Sequence, residues 1–94
     1  MSAVESLIMS LDDDSWEVKA EAAKSLGVLG DKQAVERLRQ ALSDDNWWVR
    51  HNAANSLYQL GEEGTNALRE ASRSGERAPR AAAAQVLAER ALGV

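Results

Sequence analysis

Residues 44–61 read DDNWWVRHNAANSLYQLG, and residues 13–30 read DDSWEVKAEAAKSLGVLG. Laid over each other at an offset of 31, positions 11–30 and 42–61 share eleven identities in twenty. Asp13 and Asp14 match Asp44 and Asp45, Trp16 matches Trp47, and Val18 matches Val49. The pair Ala22 and Ala23 falls on Ala53 and Ala54, Ser25 on Ser56, Leu26 on Leu57, and Leu29-Gly30 on Leu60-Gly61. Upstream, Ala3, Val4, Glu5 and Leu7 match Ala34, Val35, Glu36 and Leu38. Self-similarity at a fixed period is the mark of a repeat architecture, where each unit is one supersecondary element.

A third, fainter copy sits at an offset of 30 from the second. TNALREA (65–71) falls on VERLRQA (35–41), and PRAAAAQVL (79–87) falls on VRHNAANSL (49–57). It has lost the Asp pair and the tryptophans, and Pro79 stands where Val18 and Val49 stood. A terminal repeat has one face without a neighbour, so its sequence is free to depart from the rest. The units run over about 2–30, 32–61 and 62–92, and a single domain spanning 1–94 is expected.

Within each unit the apolar spacing is helical. Ser2 and Glu5 stand at capping-box spacing, so a helix opens at once and runs to about Leu11. Val4, Leu7, Ile8 and Leu11 share one side of it. Asp12 to Ser15 supply capping oxygens and favourable negative charge for a second helix. That helix carries Val18, Ala22, Leu26 and Leu29 as its buried stripe and stops at Gly30. The pattern recurs as helices over about 32–42 and 46–60, then 64–73 and 77–92. A hairpin with one apolar stripe per helix cannot bury that stripe alone, but three stacked hairpins share a continuous core.

Composition agrees. Of 94 residues, seventeen are alanine and eleven leucine, against three Trp, one Tyr and no Phe. Those are helix-forming residues, many small enough to let helices approach closely. With no cysteine, disulfides and thiolate chemistry are excluded. No run approaches the roughly 18 apolar residues of a membrane span, and residues 1–11 lack the basic flank and long apolar run of a secretory signal. A cytoplasmic location is expected.

DDNWWVRHNAANSLYQLG, with its acidic turn, Val-Arg, paired alanines and Leu-x-x-Leu-Gly ending, resembles a short HEAT-like repeat of the kind found in phycobilisome lyases and bacterial scaffold proteins. The resemblance implies an all-α fold, a right-handed α-solenoid of three hairpins and six helices. It places the first helices on a convex side and the second helices along a concave groove. It also implies a non-catalytic protein-interaction scaffold. An accessory subunit of a bilin lyase-like or other enzyme complex is the alternative it leaves open.

Projected on a helix, residues 47–60 separate into a core side and an outer side. Val49, Ala53, Leu57 and Leu60 form the first; Trp47, His51, Asn55 and Tyr58 form the second, with Trp48 at its edge. Large rigid rings with polar tips are the composition of a recognition surface, so these five are the candidate partner-binding residues. The shared position of Trp16 and Trp47 argues for a structural role in covering the turn or the next hairpin. His51, Tyr58 and Trp48 are peculiar to the second unit.

Arg69, Arg73, Arg77 and Arg80 cluster around the last turn and are a candidate anion-binding group. Nucleic-acid binding through them is a second alternative, disfavoured by the net charge of −4. Asp13 and Asp44, with Lys19 and Arg50 six residues on, resemble a ladder of acids and bases between repeats. Asp12 to Asp14 lack the alternating acids and distal Glu of a calcium loop. No nucleophile motif, phosphate loop or metal-ligand spacing is present, so neither catalysis nor a cofactor is expected. The partner expected is a protein, with no membrane association. The apolar residues of the two end hairpins leave room for self-association.

Overall fold

The computed structural model describes residues 1–92, and the last two residues of the expected domain lie outside it. Among the described residues there are six α-helices and no strand. These are α1 (Ala3–Ser10), α2 (Trp16–Leu29), α3 (Val35–Ala41), α4 (Trp47–Gln59), α5 (Glu62–Ala71) and α6 (Arg77–Leu92). They form three consecutive hairpins: α1 on α2, α3 on α4, α5 on α6. The second helices pack side by side, α2 on α4 and α4 on α6, while α3 adjoins α5 in the other layer. The fold is therefore an α-solenoid, about 36 Å along its longest axis.

Local chemistry sets each boundary. Glu5 N–H donates to Ser2 Oγ at 3.1 Å and Ser2 N–H to a Glu5 carboxylate oxygen at 3.0 Å, closing the capping box of α1. The Ser2 N–H, and after it the Ser2 hydroxyl, favour the ionised carboxyl, so Glu5 is held below its ordinary value of 4.5. α2 ends at Gly30, whose φ of 71° is left-handed backbone that a side chain would strain. The turns before α2, α4 and α6 are built alike. Asp13 accepts from Ser15 N–H at 2.8 Å, Asp44 from Asn46 N–H at 2.9 Å, and Ser74 Oγ from Glu76 N–H at 3.0 Å. The third unit thus keeps the turn geometry with a hydroxyl in place of the carboxylate.

Two boundaries differ from expectation. The helix expected from residue 32 opens as a separate 3-10 turn over Lys32–Ala34, because Asp31 accepts the Gln33 N–H at 2.9 Å and pins the chain there. α5 begins at Glu62 rather than at about 64. Gly61, at φ 84°, turns the chain sharply, and Gly64 then lies directly against the Leu57 carbonyl, where a Cβ would collide. That contact brings α5 onto α4.

The core is continuous from Leu11 to Val86 and is built largely of Leu and Ala. Leu26, Leu38, Leu42, Leu57 and Leu68 are fully buried in it. α4 is the central helix, touching α2, α3, α5 and α6. Pro79 lies within the first turn of α6, where its missing N–H breaks no helical bond, and it is buried as Val49 is. One expectation is overturned: Val18 and Leu29, placed in the stripe of α2, are 41% and 49% exposed. They line open grooves on α2, and no helix among the described residues covers them.

Candidate functional site

The outer side of α4 is positioned from its N-terminus. Asn46 caps the helix, its side-chain oxygen accepting from Trp48 N–H at 2.8 Å and Val49 N–H at 3.3 Å. Arg50 reaches back and donates to the carbonyls of Asp44 and Asp45 at 2.8 and 3.0 Å, tying the turn to the helix. Across the repeat boundary, Lys19 Nζ meets Asp44 Oδ1 at 2.7 Å, both side chains being mostly buried. The Asp44 hydrogen bond holds Lys19 above the ordinary lysine value despite partial desolvation, with the charges of Asp44, Asp45 and Asp14 adding to it. The ladder thus has one rung between repeats, while Arg50 bonds backbone of its own turn.

α4 is locked onto α2 by small and polar residues. Ser56 Oγ donates to the Ala23 carbonyl and Asn52 to the Ala20 carbonyl at 2.9 Å. A side chain at Gly27 would collide with Ser56 and Gln59. This rotation of α4 turns Trp48 and Tyr58 outward, 53% and 37% exposed, while Val49, Ala53, Ala54 and Leu57 are buried.

On that outer side two clusters form. Trp47 lies flat on His51, centroids 4.6 Å apart and 12° between planes, and meets the Trp48 ring edge-on at 4.8 Å. His51 Nδ1 is buried without a hydrogen-bond partner. Asn55 donates to the His51 carbonyl at 3.2 Å and accepts from Arg90 at 3.2 Å. Arg90 also stacks its guanidinium over the Tyr58 ring, 4.9 Å from the centroid. Trp47, Trp48, His51, Asn55 and Tyr58 therefore occupy one continuous surface.

Beside it, the N-terminal halves of α4 and α6 enclose a groove of about 430 Å³. Trp47, Arg50, His51, Arg77, Ala81 and Gln85 are among the side chains lining it, and none of its lining residues is acidic. The four candidate arginines have separate surroundings. Arg77 joins this groove, and Arg80 donates to the carbonyls of Ser74 and Gly75 at 3.2 and 3.5 Å as Arg50 does in its own turn. Arg69 bonds Asn66, and Arg73, in the turn after α5, donates back to the Arg69 carbonyl.

Arg90 is the residue the sequence analysis passed over. At the offset of 30 it falls on Leu60, so a charged residue where two copies carry Leu29 and Leu60 was the available signal. Its meeting with Asn55, 35 residues away, depends on how α6 lies on α4.

No helix among the described residues is long and apolar enough to cross a membrane, and none of their His, Asp and Glu side chains gather as a metal site. The family model for HEAT repeats matches residues 4–88. No curated protein matches the chain.

Proposed function

Because the chain belongs to the HEAT-repeat family, whose repeats are commonly protein-interaction scaffolds and generally non-catalytic, we propose that it binds a partner protein across the outer face of its second helices. The centre of the site is α4, with Trp47, Trp48, His51, Asn55 and Tyr58 as contact residues and Arg90 bracing Tyr58. The partner segment is acidic where it meets the groove, since Arg50 and Arg77 line it without a carboxylate. The role is non-catalytic.

The observation that carries this proposal is the exposure of Trp48 and Tyr58 on a helix whose opposite side is fully buried. Two large rings partly in water contribute less to folding than the buried leucines, yet they supply the contact area and low ordering entropy that binding hot spots use. Trp48→Ala and Tyr58→Ala are expected to keep the helical content and a cooperative melt, at a cost of about 1 kcal/mol each. Binding of the partner captured from the source lysate is expected to fall at least tenfold. Unfolding of both variants, or unchanged binding by both, ends the proposal.

A further inference from the structure

The first repeat leaves bare the face that the second repeat buries. In the second repeat, Val49, Asn52, Ser56 and Gln59 lie toward α2, and Asn52 and Ser56 bond its carbonyls. Their counterparts on α2 are Val18, Glu21, Ser25 and Val28, and among the described residues no further second helix packs across them as α2 packs on α4. Val28 is 75% exposed. Leu7, Ser25, Val28 and Leu29 line an apolar groove of about 320 Å³ between α1 and α2, and Val18 borders a second. End repeats of solenoids need a polar outer face to remain soluble alone, and this one exposes Val18, Val28 and Leu29 among its charged residues.

The opposite end carries the matching half. Ala84 and Ala88 of α6 are exposed and stand at the positions of Ala23 and Gly27, the α2 residues on which Ser56 and Gln59 sit. Arg80 stands at the position of Lys19, whose partner is Asp44, and Asp44 is the counterpart of Asp13. The charges are complementary. The first repeat's face and turn hold Asp13, Asp14, Glu17 and Glu21 against one base, Lys24, while the last turn holds Arg73, Arg77 and Arg80 against one acid, Glu76.

We propose that the α1–α2 end face binds the α5–α6 end face of a second copy of this chain, side by side as α4 lies on α2 but set back enough to admit the Ala88 methyl that Gly27 lacks. Val28 of one copy rests on Ala88 of the next, Ser25 lies over the Ala84 carbonyl, and Asp13 faces Arg80. The surface is separate from the outer face of α4. A contact between two different faces leaves one of each face free in a dimer, so it adds further copies until a ring closes or an open chain grows.

The test uses two blocked variants of the full chain, each altered at an exposed site where folding tolerates change. Val28→Arg opposes the arginine-bearing end and blocks the head; Ala84→Glu opposes the acidic end and blocks the tail. In sedimentation equilibrium the wild type is expected to rise above 10.2 kDa with concentration and to pass beyond a dimer. Each variant alone is expected to stay at 10.2 kDa, and an equimolar mixture to form a dimer that grows no further. Circular dichroism confirms that both variants fold, and Ala84→Ser, small enough for a position equivalent to the fully buried Ala23, serves as the uncharged control that retains assembly. A wild type that is monomeric at millimolar concentration overturns the proposal. So does a tail-blocked variant that dimerises alone, which marks a head-to-head contact, or a mixture that stays monomeric. Partner binding at Trp48 is expected to survive both blocks, so loss of assembly and loss of the outer-face site are separately readable.

Discussion

Val18 and Val49 occupy the same position of the repeat, yet one is 41% exposed and the other 1%. Leu29 and Leu60 differ in the same way, at 49% and 4%, and Ala3 and Leu7 are more exposed than Ala34 and Leu38. Neither identity nor helical register separates these pairs. The second repeat has a repeat on both sides, while the first repeat, among the described residues, has one on only one side. In a stacked array, stability is a sum of repeat and neighbour terms, so a side chain's energetic weight is set by its neighbours more than by its type.

The contrast should be sharpest for leucine. Leu60→Ala is expected to destabilise by about 2–5 kcal/mol, through lost burial and the cavity left behind. Leu29→Ala should cost less than about 1 kcal/mol, since half the side chain is already in water. Urea denaturation at low protein concentration measures both. Equal losses would mean that something covers α2 in solution.

Smaller effects follow from the polar pairs. Ser56→Ala removes a buried bond to the Ala23 carbonyl and should cost about 1 kcal/mol, whereas Ser25→Ala should stay within about 0.5 kcal/mol. Smallest is the acid pair. Asp13 and Asp44 each hold the N–H two residues on, but only Asp44 also takes Lys19. Asp44→Ala should therefore exceed Asp13→Ala by a fraction of a kcal/mol at neutral pH. Because the folded value of Lys19 is raised, this excess is full below the ordinary lysine value of 10.5 and disappears as pH climbs through the raised one. Thermal melts of the two variants from neutral to strongly alkaline pH check the sign.

Most of the helices were legible because each boundary rests on chemistry a few residues long. Ser2 with Glu5 and the glycines at 30 and 61 act locally. The misses were residues whose role needs a distant partner. Gly64 looks like an ordinary helix-start residue until the Leu57 carbonyl is placed beside it. The outer face of α4 followed from helical projection alone, since one stripe buried implies the opposite stripe exposed. Arg90 and Arg77 joined that neighbourhood only through the packing of α6 on α4.

Periodicity, caps and the repeated motif are properties of neighbours along the chain, and they determined that this protein is three helical hairpins with an alanine and leucine core. Which equivalent residues are buried, where the groove opens and which arginines reach the aromatic surface were decided by the tertiary structure. The physical reason is that burial and charge pairing depend on what lies across a helix boundary, 25 to 35 residues away in this chain, and no local rule carries that distance.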